Sequence, residues 1–192
     1  MRYVVHEPSP EDRPSRASVT IRPTDNPADL AVCARLAAHY NEESHRVALA
    51  GARHHLARPR NVLLVATEPD GGVVGYARIT WVPPGDPTDH RAAPSGYYLG
   101  GMVVAEDHRR RGVGSRLTAE RIRIVAERAH DVWYIVNDSN RASIDLHTAH
   151  GFHPTTRDFT FPGVVLDGPN TILWHRGLDD DAQRCRGCPP PA

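Results

Sequence analysis

Residues 100–115 read Gly-Gly-Met-Val-Val-Ala-Glu-Asp-His-Arg-Arg-Arg-Gly-Val-Gly-Ser, and no other segment constrains the fold as tightly. An apolar run, Tyr97 to Val104, passes through a polar turn, Ala105 to Arg111, into a helical pattern whose buried face carries Ile122, Val125, Ala126 and Ala129. The first turn of a helix has unpaired backbone N–H groups and a partial positive charge. Glycines at 112 and 114 let a ligand approach that backbone closely, and Arg109, Arg110 and Arg111 add forked donors suited to phosphate oxygens. Arg109 to Ser115, with Val113 between the glycines, therefore predicts a phosphate site that needs no metal. The alternative is a Gly-softened turn beside a solvated Arg run. The paired Gly100-Gly101 predicts a bulge in the strand, or a close approach to it.

The phosphate compound is narrowed by exclusion. All 23 basic residues are Arg, so a Walker lysine and a Schiff-base lysine are both ruled out. A dinucleotide fingerprint would need a third glycine where Leu117 stands, and its strand would open the fold instead of following two hairpin strands.

The rest of the chain supplies the frame. Ser18 to Arg22 alternates as a first strand. Pro27 opens a helix reaching about His39, and a second spans Glu43 to Leu56. Asn61 to Ala66 and Val73 to Val82 form a hairpin around the turn Pro69 to Gly72. A long Pro-rich loop follows, Pro83 to Ser95, carrying Asp86 and Asp89. Val132 to Val136 is apolar throughout, a strand covered on both faces. Asn140 to His150 is a short helix stopped by Gly151, and Phe152 to Phe161 and Thr171 to Trp174 are the last strands. The order β-α-α-β-β-β-α-β-α-β-β predicts an α/β fold of three layers: a mixed, mostly antiparallel central sheet with helices on both faces. The 192 residues divide into a flexible tail (1–17), one domain (18–178) and a second tail (179–192).

Balanced charge, 23 basic against 23 acidic residues, speaks against a broad nucleic-acid or anionic-membrane footprint. No apolar run reaches ~18 residues. The first sixteen residues have no apolar signal core, so the expected location is the cytoplasm. Cys185 and Cys188 have C-x-x-C spacing in the polar C-terminal tail, without the further ligands of a zinc site or the helix start of a redox pair. The histidine pairs His54/His55 and His147/His150 lack convergent ligands, and no metal is expected.

Arg109-x-x-Gly112-x-Gly114 resembles the pyrophosphate signature [RQ]-x-x-G-x-[GA] of the GNAT superfamily of acyl-CoA N-acyltransferases. Residues Asn140 to Phe152, Asn-Arg-Ala-Ser-Ile-Asp-Leu-His-Thr-Ala-His-Gly-Phe, resemble its later motif N-x-x-[AS]-x-x-L-[YH]-x-x-x-G-F at the expected separation. The resemblance extends to the element order from Ser18 to Trp174. It implies an acetyl-CoA-dependent transferase with a V-shaped split between two parallel strands. It also implies that the backbone of Met102 and Val104 bonds the pantetheine arm, and that an N–H near Met102 or Val103 faces the thioester oxygen. On helical spacing Asn140, Ser143 and His147 share a face, and Ala142, Leu146 and Ala149 lie nearly opposite, toward the core. Asn140 serves as helix cap, cofactor contact or both. The resemblance sets His147 near the thioester sulfur, where its ring N–H would stabilise the departing thiolate.

Many relatives place a Glu on the strand before the pyrophosphate turn to take the amine's proton. Here Tyr97 to Val104 holds no carboxylate. Candidate bases are Asp138, Glu42, Glu43, Asp86 and Asp89. Glu42, Glu43, Asp86 and Asp89, with Tyr98, are also the candidate acceptor contacts. They suit a small cationic amine such as an aminoglycoside-like antibiotic, a polyamine or an amino acid. Acetylation of a protein N-terminus or lysine, and a non-catalytic acyl-CoA-binding module, are the competing readings. A homodimer is left open.

Overall fold

The computed structural model describes residues 18–162, 166 and 170–178. Both expected tails, including Cys185 and Cys188, lie outside the described residues. Among the described residues, eleven helices and strands appear in the predicted order, with a 3-10 turn besides: β1 Thr20–Pro23, α1 Pro27–Asn41, α2 His45–Leu56, β2 Val62–Thr67, β3 Val73–Val82, β4 Gly96–Val104, the 3-10 turn Glu106–His108, α3 Val113–Ala126, β5 Asp131–Asn137, α4 Arg141–Ala149, β6 His153–Thr156 and β7 Thr171–Gly177. The sheet has seven strands in the order β1-β2-β3-β4-β5-β7-β6. Every neighbouring pair is antiparallel except β4 and β5, which run parallel.

Local chemistry sets the ends. Asn26 caps α1 through its side-chain oxygen, which accepts from the Ala28 N–H at 2.9 Å, and Pro27 stands at the first helical position. Ser44 caps α2. Glu42 and Glu43 therefore lie in the connection between α1 and α2, with Glu42 in the left-handed region at φ 55°. α1 and α2 pack one face of the sheet through Leu30, Cys33, Ala37 and Ala52 against Leu63, Val65, Tyr76 and Val103. α3 packs the other through Val113, Leu117, Ile122 and Val125 against Leu64, Ala77, Ile79 and Leu99. Burying one such side chain is worth roughly 1.5–3 kcal/mol, so these two interfaces carry most of the fold's stability.

One expectation needs correction. The strand expected over Phe152 to Phe161 pairs only from His153 to Thr156. Beyond it, Phe159 and Phe161 turn onto the sheet with Val82, Ala93, Tyr98, Trp133 and Leu173. The long loop joins this cover: Ala93 N–H donates to Thr160 O at 2.9 Å, Thr160 N–H to Arg91 O at 2.8 Å, and Thr160 Oγ1 to Asp89 at 2.6 Å. Strand β5 is thus covered on both sides, on one by helices and on the other by this loop layer.

Candidate active site

Strands β4 and β5 pair only at Tyr97 with Val132 and Tyr98 with Trp133, then separate. At the point of separation β4 carries a bulge. Tyr76 faces Val103 and Arg78 faces Gly100, so Gly101 and Met102 together oppose the single residue Ala77. Gly101 has φ 48°, and a Cβ there would stand 3.1 Å from the Arg78 Cδ. The positive φ favours glycine at 101, and a side chain there would also press on Arg78.

A cavity of about 820 Å³ runs through the opening. Tyr40, Asn41, Glu43 and Val47 line it on the α1–α2 side. Leu99 to Val104 and Tyr134 to Asn137 form the split itself, and Arg109, Arg110, Asn140, Ser143 and His147 line the α3–α4 side.

At the latter end, Gly112 caps α3 at φ 82° with no side-chain cap, and Arg110 also takes a positive φ, 63°. A non-glycine residue in that region costs about 1–2 kcal/mol, a strain typical of turns shaped for a ligand. The first backbone N–H groups of α3 have no side-chain cap to bond. These features fit a pyrophosphate. Arg111, Gly112, Gly114 and Ser115 lie just beyond the cavity lining, and the Val113 side chain is buried in the core, so only its backbone can face a ligand. Ser115 Oγ bonds the His150 ring at 3.0 Å. Arg109 Nε donates to Val104 O at 3.1 Å, tying the turn to the end of β4.

Helix α4 lines the cavity with two stripes: Asn140, Ser143 and His147, the expected face, with Ser143 and His147 also against Tyr134 of the sheet, and Ala142 and Leu146, which were expected toward the core, whereas Ala149 is exposed. Asn140 is the helix cap, its side-chain oxygen accepting from the Ser143 N–H at 3.2 Å. Tyr134 donates to Ser143 Oγ at 2.6 Å. His147 is 2% exposed, and its Nδ1 lies 2.8 Å from the Ser143 carbonyl oxygen. A carbonyl only accepts, so Nδ1 carries the ring proton and Nε2 is a bare acceptor without a partner. Burial, with the Arg121 charge adding to it, lowers the imidazole pKa to about 3. The expected donation from His147 to a thiolate therefore conflicts with this geometry, because the one proton is committed to the backbone.

Other candidates also fall away from the cavity. Asp138 pairs with Arg157 at 2.9 Å, and Asn137, not Asp138, lines the cavity. Asp86 bonds Thr88, and Asp89 bonds Thr160 and the Arg91 N–H; both hold the loop. Tyr98 is 4% exposed, its hydroxyl donating to Pro94 O at 2.7 Å, and burial raises its pKa. The loop covers the core and contributes nothing to the cavity lining among the described residues. Glu42 is exposed outside the cavity. Glu43 alone of the expected carboxylates lines it.

Two residues were missed. Arg121 of α3 is 1% exposed, with Nη1 3.5 Å from both Arg78 O and Gly100 O and Nη2 3.0 Å from Thr118 Oγ1. It thus faces the carbonyls of the residues that pair beside the bulge. Burial lowers its pKa to about 10, which leaves it charged at neutral pH. Arg78 lines the cavity from β3, its guanidinium 5.7 Å from the Tyr76 ring centroid. The legible signal for Arg121 is its place in the Leu117, Thr118, Val125 stripe of α3. Arg78 follows Tyr76 at the strand period.

The sequence profile of the acetyltransferase (GNAT) family matches residues 29–152. The chain belongs to the GNAT acetyltransferase family. Solved members share its fold. A phosphinothricin acetyltransferase from Sinorhizobium meliloti in complex with AcCoA is 18% identical, with TM-score 0.62 and coverage of 84% of this chain and 89% of the other. A ribosomal-protein-alanine N-acetyltransferase from Brucella melitensis is 24% identical, TM-score 0.62, covering 83% and 99%. A spermidine N-acetyltransferase from Vibrio cholerae, in complex with CoA and spermine, is 14% identical, TM-score 0.60, covering 83% and 95%. No curated protein matches the chain at a significant level. Among the described residues, no helix of this GNAT protein is long and apolar enough to cross a membrane, and no cluster of side chains could hold a metal ion.

Proposed function

We propose that this GNAT acetyltransferase moves the acetyl group of acetyl-CoA to a primary amine of a small molecule held between the α1–α2 connection and the split strands. The observation that carries this reading is the single cavity that joins the α3 helix start to Glu43 through the β4–β5 opening.

Bound acetyl-CoA supplies an activated acyl group and a thiolate leaving group. Arg109, Arg110 and the backbone of residues 112–115 would hold its phosphates. The Val104 carbonyl faces away from β3, toward Arg109, and Met102 shares its alternation, so their backbone groups border the split. Arg121 keeps the bulge open and sets a positive potential at the place where negative charge develops, a class of contribution worth roughly 3–4 kcal/mol when a donor acts directly.

The amine must lose a proton, and its ordinary pKa is near ~10. A positive, partly desolvated site lowers that value, since both effects disfavour the ammonium. Glu43 is placed to accept the proton, directly or through water. The hydroxyl pair Tyr134 and Ser143, 2.6 Å apart on the α4 side, is the proton source for the departing thiolate in place of His147. Thiol release from acetyl-CoA across a panel of small amines, followed by a peptide panel, tests the reading. Turnover on peptides alone, or on nothing while CoA binds, would sink it.

A further inference from the structure

The charged groups around the cavity are unequal in a way the family membership does not require. Arg78, Arg109, Arg110 and Arg121 line it against Glu43 alone. Arg109 pairs with Glu106 and belongs to the phosphate end. Arg121 is occupied by the bulge and by Thr118. Arg78 is different. It stands on the α1–α2 face of β3, since Tyr76 packs with the α1–α2 cluster while Ala77 and Ile79 pack toward α3. Like Arg121 it has a buried Nε without a partner and no paired carboxylate, but unlike Arg121 its guanidinium makes no hydrogen bond among the described residues.

A lone guanidinium in a half-enclosed, aromatic-walled site is an expensive arrangement unless a ligand brings the counter-charge. Its planar fork matches a carboxylate or another oxyacid group. A polyamine placed there would meet unscreened like charge with only Glu43 to offset it. Within the transferase reading above, on which this inference rests, we propose that the acceptor is a primary amine that also bears an anionic oxyacid group, as a free amino acid does. Arg78 takes the acid group, Glu43 attends the amine, and Tyr40, Tyr76 and Val47 surround the remainder. The cationic acceptor expected from the sequence rested on Asp86, Asp89, Glu42 and Glu43, of which only Glu43 lines the cavity.

The test is a matched series: L-amino acids, their amides, and the amines left by removing the carboxylate, with spermidine and short peptides beside them. Each is assayed for acetyl transfer, and each is titrated by calorimetry into the CoA-saturated protein. The acids should exceed their amides and decarboxylated partners at least ~10-fold in kcat/KM, the scale of a charge-assisted hydrogen bond. Arg78→Met should raise KM for the acids about 10- to 100-fold and close the gap to the amides, while Arg78→Lys recovers part of it. Equal or better transfer to spermidine, amides or peptides overturns the proposal, as does an unchanged acid-to-amide ratio in Arg78→Met. Should that variant not fold, the wild-type series and Arg78→Lys decide. If nothing is acetylated, the calorimetry separates the two ideas. Amino-acid binding that weakens in the Arg78 variants upholds the anion subsite and ends the acetyl-acceptor reading. Absence of such binding ends the subsite.

Discussion

The imidazole of His147 lies face to face with the ring of Tyr134, centroids 3.7 Å apart and planes 9° from parallel. The stack, the Ser143 carbonyl at Nδ1 and the edge of Phe152 enclose the histidine. Its pKa falls from about 6.5 to about 3 because burial opposes the charged form. A depressed histidine pKa means that the unfolded chain binds the proton more tightly. The contribution is full above pH 6.5 and is lost as pH falls from 6.5 toward 3. At pH 5 the loss is about 1.5 pK units, or roughly 2 kcal/mol. Urea unfolding at pH 7.5 and pH 5 should show this loss in the wild type and a smaller one, by about that amount, in His147→Phe. Identical pH dependence in both would mean that the native imidazole titrates normally. The same variant should keep most of its kcat, since the ring proton is committed to Ser143.

Gly114 separates stability from cofactor binding. A Cβ there would make ordinary contacts, 3.5 Å to Met102 and 3.8 Å to Leu146, and Gly114 has no positive φ. Gly114→Ala should therefore be neutral or stabilise the helix start by up to about 1 kcal/mol. Gly114→Glu would add bulk and negative charge at the proposed phosphate site, and should weaken CoA binding at least 100-fold. Calorimetry on a folded Gly114→Glu protein with unchanged CoA affinity would remove α3 as the phosphate site.

The elements were legible because each one carries a local pattern. Val62 to Ala66 is a continuous apolar run, and Asn26-Pro27 and Gly151 punctuate helices through backbone chemistry that acts within a few residues. The turn before α3 and the glycine at its start were legible for the same reason. What failed depended on contacts distant in sequence. Asp89 and Thr160 are far apart in the chain, so nothing local distinguished a loop brace from an acceptor contact. Helix α4 has a stripe on each side, Ala142 with Leu146 and Ser143 with His147, and spacing alone does not say which meets the sheet. Arg121 and Arg123 look alike in sequence, yet one is buried under the bulge and the other pairs with Glu120 and Glu127 on the surface.

Glu43 is held by Asn41, whose side-chain nitrogen donates to its Oε1 at 3.1 Å, and it is the one carboxylate lining the cavity among the described residues. Glu43→Gln keeps the shape and removes the base. The kcat/KM for the amine should drop about 10- to 100-fold, and its rising limb should move to higher pH, where free amine is present without assistance. A variant with the wild-type profile would assign proton removal to bulk water.

Arg121 poses a direct conflict between stability and function. It is a buried charge with no carboxylate, and its bonds to the bulge carbonyls are long, 3.5 Å each. Burying a guanidinium is costly, and replacement of buried charged groups by apolar side chains of similar size is often neutral or stabilising. Arg121→Met places a flexible apolar chain beside Met102 and Thr118, so its thermal midpoint should equal or exceed that of the wild type. Activity should move the other way. Without the guanidinium the carbonyls of Gly100 and Arg78 lose their donor, the split is free to narrow, and the positive potential at the opening falls. The kcat should decrease at least 10-fold, with a smaller change in acetyl-CoA affinity, because the phosphate contacts lie beyond Arg109. Arg121→Lys should sit between the two, since a point charge restores the potential but cannot reach both carbonyls and Thr118 together. A stable Arg121→Met with wild-type kcat would reduce this residue to a spacer. A strongly destabilised one would mean that its hydrogen bonds outweigh the cost of burying the charge.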